Sequence, residues 1–452
     1  MIKIFDICDE TFEIDFNNIL ERANIDIDSI IPHVFQTLQD IKARGEKTIL
    51  ELVRKYDSWN PTTFNDLKIT EEDTFNAYKN LSAKTKDSLQ IAYDRIYKFH
   101  SINIQKGFLY HDEYGSMLGQ NVLPVSRAGI YIPGGKAFYP SSLLMNAIPA
   151  KVAGVKEIIM ASPTPNNYIN ELLLAAMHLC GIKEGYKVGG IGAIGMFAYG
   201  LGNTKWHKDM MYSNIQFQEK VFKKVDVISG PGNIYVATAK KLVFGEVNID
   251  MIAGPSEIGI IADSSANSDY IAIDMLSQAE HDSMASSILI TNDKELAIKV
   301  AQKIDKRLKL LMRKEIAQKS IDDRGAIIVV QNLSQAVNLM NTIAPEHLEI
   351  LTQEPFSLLG EIKSAGAVFL GHYTPEAIGD YLAGPNHTLP TGGSAKFFSP
   401  LGVEHFCTRS SIISFSQKGI TTLAKHCAAL AEIEGLEAHK ISVLSRLDKY
   451  NI

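Results

Sequence analysis

The chain has 452 residues, 46% of them hydrophobic, with 45 Lys plus Arg against 51 Asp plus Glu and a net charge of −6. At roughly 100 to 200 residues per domain this is enough material for two to four cored domains. It carries no basic stripe of the kind that follows a phosphate backbone, so nucleic acid is not an expected partner.

The N-terminus, "MIKIFDICDETFEID", is acidic and has no apolar leader run, and later apolar stretches such as "AIPAKVAGVKEIIMA" are broken by lysines. The expectation is a cytoplasmic protein that does not enter a membrane. Cys8, Cys180, Cys407 and Cys427 are far apart and form no C-x-x-C, so neither a thiolate zinc site nor a disulfide framework is indicated and buried, inert thiols are expected.

Up to about residue 125 the chain reads as helical, with "IIPHVFQTLQDIKARGEKTILELVRKYD" repeating apolar residues at spacings of three and four. From Arg127 onward short β-branched runs alternate with helical stretches: "AGIYIP", "KEIIMASP", "VDVISGPGN", "SSILITN", "GAIIVV" and "GAVFLG". That alternation predicts βαβ units and mainly parallel sheets. Residues 203–224, "NTKWHKDMMYSNIQFQEKVFKK", break the rhythm and read as an insertion. After Gly384 the chain is rich in Gly, Pro and Ser up to Gly402, and an amphipathic helix or helix pair is predicted from Gly419 towards Leu447.

Three glycine-bearing loops end predicted strands. "VGGIGAIG" holds Gly190, Gly192 and Gly195 in a formal G-x-G-x-x-G, readable either as a pyrophosphate cradle or as tight helix-to-strand packing. "SGPGN" leads through Asn233 into a helix, and "GIYIPGG" places Tyr131 before Pro133. Three such loops in one α/β region favour a nucleotide site.

The polar clusters lie further along. In "MLSQAEHD", Gln278 and His281 are three apart and share a helix face, where both side chains can converge on one ion or serve as ordinary structural polar groups. "IAPEHLEI" sets Glu346 beside His347, an acid and an imidazole suited to two proton transfers, with a surface pair as the plain alternative. "GDYLAGPNHTLPT" adds Asp380 and His387, and "EGLEAHK" adds Glu434 and His439.

Taken together, "GIYIPGG", "SGPGN", "IDMIAGPSE", "MLSQAEHD", "APEHLEI", "GDYLAGPNHTLPT" and "AHK" occur in the order found in histidinol dehydrogenases, and the chain resembles that family from about residue 30 onward. The resemblance implies a zinc-dependent, NAD-linked oxidation of L-histidinol through L-histidinal to L-histidine. It implies one Zn2+ per subunit on Gln278, His281, Asp380 and His439. Substrate contacts fall on Ser256, Gln278, His281, His347, Asp380, Glu434 and His439. His347 is the implied base for alcohol oxidation and Glu346 the activator of water on the aldehyde. Tyr131, Gly192 and Asn233 match NAD positions, Gly192 standing where the family usually shows glutamine; Ile252 stands where proline is typical.

The fold so implied is α/β, with two Rossmann-like, mainly parallel domains. Residues 1–25 form an N-terminal segment, 26–125 plus 257–383 carry the zinc and catalytic residues, and 126–256 form the nucleotide-binding domain with the 203–224 insertion. Residues 384–452 form a small helical C-terminal domain that reaches the partner subunit of a homodimer with shared active sites. Two other readings stand beside this one: a zinc and NAD dehydrogenase of the same fold acting on another polar alcohol, and an inactive zinc-binding scaffold.

Overall fold

In the computed structural model, residues 2–21, 27–134, 139–202 and 222–447 are described. The chain runs β1 (Lys3–Asp6), α1 (Phe12–Glu21), α2 (Ile31–Arg44), α3 (Glu46–Tyr56), β2 (Lys68–Ile69), α4 (Glu71–Asn80), α5 (Ala83–Ile102), β3 (Phe108–His111) and β4 (Met117–Pro124). It continues through β5 (Arg127–Tyr131), α6 (Pro140–Ala153), β6 (Glu157–Ala161), α7 (Glu171–Cys180), β7 (Glu184–Tyr186), α8 (Gly190–Tyr199), β8 (Val227–Ser229), α9 (Ile234–Val243) and β9 (Asn248–Ile249). The later half comprises β10 (Glu257–Ala262), α10 (Ser268–Ala279), β11 (Ser286–Thr291), α11 (Lys294–Leu308), α12 (Lys314–Arg324), β12 (Ala326–Val329), α13 (Leu333–Ile343) and β13 (His347–Leu351). Then come α14 (Pro355–Leu359), β14 (Ala367–Leu370), α15 (Glu376–Tyr381), β15 (Cys407–Ser414), α16 (Gln417–Ile433) and α17 (Glu437–Leu444).

Two compact units are present, one of residues 1–103 and 126–406, the other of 104–125 and 407–452. The first unit contains two six-stranded sheets, ordered β1-β12-β11-β10-β13-β14 and β2-β7-β6-β5-β8-β9. Every pairing is parallel except β2 on β7. The mixed α/β fold with mainly parallel sheets is therefore present as expected. Strands β10, β11 and β13 are buried along their whole length, as strands covered by helices on both faces must be.

The segments divide between the sheets differently from the expected boundaries. Phe12, Phe16 and Ile19 of α1 pack with Ile261, Ile290 and Ile350, so the N-terminal segment belongs to the first sheet. Leu38, Ile41 and Ile49 of α2 and α3 instead pack with Ile194, Phe197 and Ile228, which places the helical stretch on the second sheet, not with residues 257–383. An amphipathic helix fits any apolar sheet face of the right shape, so its periodicity alone does not select its partner.

Of the 203–224 insertion, residues 203–221 lie outside the described residues. Its ends meet at an isolated antiparallel bridge, Leu201 to Phe222, and the Phe222 ring packs on Phe197 and Tyr186. The second unit holds the antiparallel sheet β15-β4-β3 and the helices α16 and α17. The C-terminal helices are as expected; that β3 and β4 join them is decided by the eight-residue register between β4 and β15. Only Cys180 of the four thiols is buried, while Cys8 and Cys427 are exposed. No helix among the described residues is long and apolar enough to cross a membrane.

Candidate active site

The candidate catalytic pair, Glu346 and His347, sits where a helix ends and a strand begins. Ala344 closes α13 in a left-handed conformation, φ 52°, with its N–H donating to the Met340 carbonyl. Pro345 follows, and the chain enters β13 at His347. Parallel register sets Ile258 opposite His347, so Glu257 and Glu346 lie side by side at the amino-terminal edge of the sheet.

Glu257 organises the pair through its backbone. Its N–H donates to Glu346 Oε2 at 2.9 Å, and its carbonyl oxygen lies 3.1 Å from His347 Nδ1. A carbonyl can only accept, so Nδ1 carries the proton and Nε2 holds the lone pair. That Nε2 is buried without a hydrogen-bond partner and lies 3.8 Å from Asp380 Oδ1. Burial pushes the imidazole down to about 4, outweighing the opposing effect of Asp380. His347 is thus a neutral acceptor near pH 7. Burial, then the charges of Glu257, Asp380 and Glu376, raise Glu346 well above the usual carboxylate range, which makes its ionised form a stronger base.

Helix α10 supplies the next face. Asp274, Gln278 and His281 follow at spacings of four and three, one stripe running off its C-terminal end. Gln278 is fully buried; with its amide oriented to satisfy both neighbours it donates to Glu376 Oε1 at 2.7 Å and accepts from the Glu257 N–H at 3.2 Å. Helix α15 brings Glu376 and Asp380, four apart. It lies close against β14: a Cβ at Gly379 would sit 2.6 Å from the Phe369 ring.

One ligand atom each from His281, Glu376 and Asp380 lies within 4.8 Å of the others. Burial first, and the Asp380 charge next, raise Glu376 well above its usual range. A buried carboxylate cluster beside an orphaned imidazole nitrogen is an environment that a divalent cation neutralises, and a mixed nitrogen and oxygen set suits zinc. The residues present fit the implied metal.

The three glycine-bearing loops expected to hold a nucleotide all leave strands of the second sheet. In the order β2-β7-β6-β5-β8-β9 the connections from β5 run one way to β6 and β7 and the other way to β8 and β9. The carboxyl ends of β5 and β8 therefore flank a topological switch point, the usual crevice for a nucleotide in such sheets. Tyr131 ends β5 and Gly230 follows β8. Gly230 takes φ 117°, and a Cβ there would be 2.0 Å from the Tyr131 carbonyl oxygen, so only glycine allows the two loops this approach.

Across almost its whole length the chain matches known proteins of one kind. The sequence pattern described as Histidinol dehydrogenase covers residues 20–447. The chain belongs to the histidinol dehydrogenase family. It is 56% identical over 96% of its length to the histidinol dehydrogenase of Wolinella succinogenes, of which 97% is covered. It is 54% identical to that of Sulfurimonas denitrificans, over 97% of this chain and 98% of the other. The crystal structure of histidinol dehydrogenase from Elizabethkingia anophelis superimposes with a TM-score of 0.89 at 32% identity, covering 98% of both chains. As a member of this family the chain is an oxidoreductase.

Against the family-derived expectations, His281 and Asp380 come together with Gln278 beside them, and Glu346 and His347 adjoin the same group. Ser256, half-buried, immediately precedes β10 and accepts from the Ser286 N–H. Glu434 and His439 belong to the second unit, where both are exposed. His387 is half-buried, with its Nε2 enclosed and without a partner.

All three residues expected to contact NAD hold structural roles in this fold. The Tyr131 hydroxyl accepts from the Gly190 N–H at 3.2 Å, and burial pushes it up to about 12. Asn233 caps α9, accepting from the N–H groups of Tyr235 and Val236. Gly192 is buried inside α8, and a Cβ there would meet Val188 Cγ1 at 3.3 Å and Leu52 Cδ1 at 3.4 Å. The G-x-G-x-x-G thus includes a helix-packing contact against α3. Glu376, which the sequence reading missed, was signalled by its four-residue spacing from Asp380 in "PEAIGDY". The backbone role of Glu257 had no local signal.

Proposed function

We propose that this chain oxidises L-histidinol through L-histidinal to L-histidine, using NAD and one zinc ion per subunit. The observation that carries the reading is His347: Nδ1–H committed to the Glu257 carbonyl, Nε2 lone pair buried and unpartnered, Glu346 alongside. Gln278, His281 and Asp380 would hold the metal, with Glu376 at the same group and His439 supplied by the partner subunit. When bound, zinc supplies an electropositive centre that fixes the polar substrate and so orients its reacting carbon. When bound, NAD would supply the hydride acceptor for each half-reaction.

In the first half-reaction His347 Nε2 accepts the proton of the alcohol oxygen as a hydride leaves the carbon that bears that oxygen, giving the aldehyde. Glu346 then accepts a proton from water as the water oxygen bonds to the aldehyde carbon, while His347 returns the proton it took to the former carbonyl oxygen, giving a hydrate and a neutral imidazole. The hydrate is itself an alcohol, so His347 serves again as base while the second hydride leaves and the acid forms. One histidinol, two NAD and one water become histidine, two NADH and three protons. Ser256 and the partner subunit's Glu434 bind the substrate, Glu434 setting a negative charge opposite its imidazole or amine.

The deciding experiment incubates the purified chain with zinc, NAD and L-histidinol and follows NADH absorbance and product. Two NADH per histidine formed is the expected stoichiometry. NADH formed only from a different polar alcohol, or from none, would overturn the proposal. The homodimer has its own test. His281→Ala and His439→Ala, each inactive alone, should regain about a quarter of wild-type activity when co-refolded in equal amounts, since random pairing leaves that share of sites whole. No recovery in mixed dimers confirmed by tagging would return His439 to its own chain or remove it from the site.

A further inference from the structure

The acidic cluster contains a carboxyl with no place in the reaction just described. Strand alternation puts His347 and Glu349 on one face of β13. Glu349 is fully buried, and its Oε1 accepts from the Glu376 backbone N–H at 2.7 Å. Its Oε2 is buried without a donor and faces the carboxyl of Asp274 on α10. Burial followed by the Asp274 charge raises Glu349, and burial raises Asp274 to about 6. Two carboxyls this close are satisfied by sharing a proton.

The Glu376 N–H begins α15, a helix of six residues preceded by Pro375, with no side-chain cap of its own. So short a helix has little intrinsic stability and depends on outside contacts for its position. Once α15 is seated, the Glu376 carboxylate receives Gln278 and the Ser277 hydroxyl, the latter at 3.2 Å, both from α10. One chain of contacts therefore links Asp274, Glu349, Glu376 and Gln278 across α10, β13 and α15, the three elements that bear the candidate ligands and the base. An apolar side chain could fill the Glu349 position as core, but it could not hold the α15 N–H.

We infer that Glu349 is a positioning residue for the metal centre: by accepting from the Glu376 N–H it seats α15 and so sets where Glu376 and Asp380 meet the ion. The inference rests on the metal reading proposed above. Residues that orient metal ligands without touching the ion commonly control affinity by about 10- to 100-fold.

The test uses the full chain, stripped of metal, and measures zinc affinity by competition with a chromophoric chelator, with circular dichroism and melting temperature of the metal-free protein in parallel. Glu349→Met removes the acceptor at similar volume. Glu349→Gln keeps a carbonyl acceptor for Glu376 and offers an N–H to Asp274, reproducing the shared-proton pair. Glu349→Met should bind zinc about 10- to 100-fold more weakly, and Glu349→Gln should stay close to wild type. Should Glu349→Met fail to fold, Glu349→Thr, too short to reach the Glu376 N–H, replaces it under the same expectation. Wild-type zinc affinity in a folded Glu349→Met or Glu349→Thr chain, or equal loss in Glu349→Gln, overturns the inference while leaving the metal reading intact. A wild-type chain that binds no zinc overturns both.

Discussion

Beneath the loop after β8 lies an ion pair with almost no contact with water. Lys240 is 2% exposed and Asp250 3%. The Lys240 ammonium donates to the Gly230 carbonyl at 2.9 Å and pairs with Asp250, whose Oδ2 accepts from the Gly230 N–H at 2.8 Å. Both backbone groups of Gly230, the glycine at the candidate nucleotide crevice, are thus held by one buried pair. Replacing Lys240 by Met removes the positive partner and leaves a buried carboxylate without compensation, a change that costs about 3 to 5 kcal/mol in comparable pairs. At about 2 to 4 °C per kcal/mol for a cooperative unit of 150 to 250 residues, the melting temperature should fall by on the order of 10 °C. Calorimetry or circular dichroism measures it, with Lys319→Met as control: the Lys319–Asp323 pair is exposed, and its loss should be barely measurable. The double variant Lys240→Met/Asp250→Leu should be less destabilised than Lys240→Met alone, because no unpaired charge remains. A melting temperature for Lys240→Met within about 2 °C of wild type, under 1 kcal/mol at that conversion, would refute the reasoning. So would a double variant as unstable as the sum of its singles.

Glu346→Gln should slow oxidation of L-histidinal by about a hundredfold or more while sparing the alcohol step, whereas His347→Asn should slow both; single-turnover kinetics on each substrate separates them, and equal losses for Glu346→Gln would remove its water-activating role. His100, buried at the end of α5 and pushed down to about 4 by burial, makes stability depend on acid. Because its folded value lies below 6.5, the unfolded chain takes up a proton that the folded one refuses. Its stabilising contribution is complete above 6.5 and is lost as pH falls from there through 4, about 2 kcal/mol by pH 5. Melting curves at pH 7 and 5 should show a smaller drop for His100→Leu than for wild type; an equal drop would contradict the sign. Gly192→Gln should destabilise by about 1 to 3 kcal/mol through overpacking against Leu52 and Val188, without tightening NAD. A tighter NAD titration with unchanged melting temperature would show that the helix accommodates the side chain and directs it to the crevice.

Much of the fold and the site is legible locally. The alternation of β-branched runs with amphipathic stretches from Arg127 onward determines a mainly parallel α/β chain, because periods of 2 and 3.6 are properties of neighbouring residues. The three-residue spacing of Gln278 and His281 and the adjacency of Glu346 and His347 make the candidate site visible for the same reason. Other features were settled only by tertiary packing. Helices α2 and α3 joined the second sheet and α1 the first, a choice among apolar faces that their own periodicity leaves open. Glu257 became the backbone partner of Glu346 and His347, and Glu349 the cap of α15, through register between strands some 90 residues apart in the chain and the seating of a helix 27 residues on. The burial of Lys240 against Asp250 likewise depends on β8, α9 and β9 closing around Gly230. Such contacts leave no pattern along the chain, since what makes each residue fit is a group brought to it by the rest of the fold.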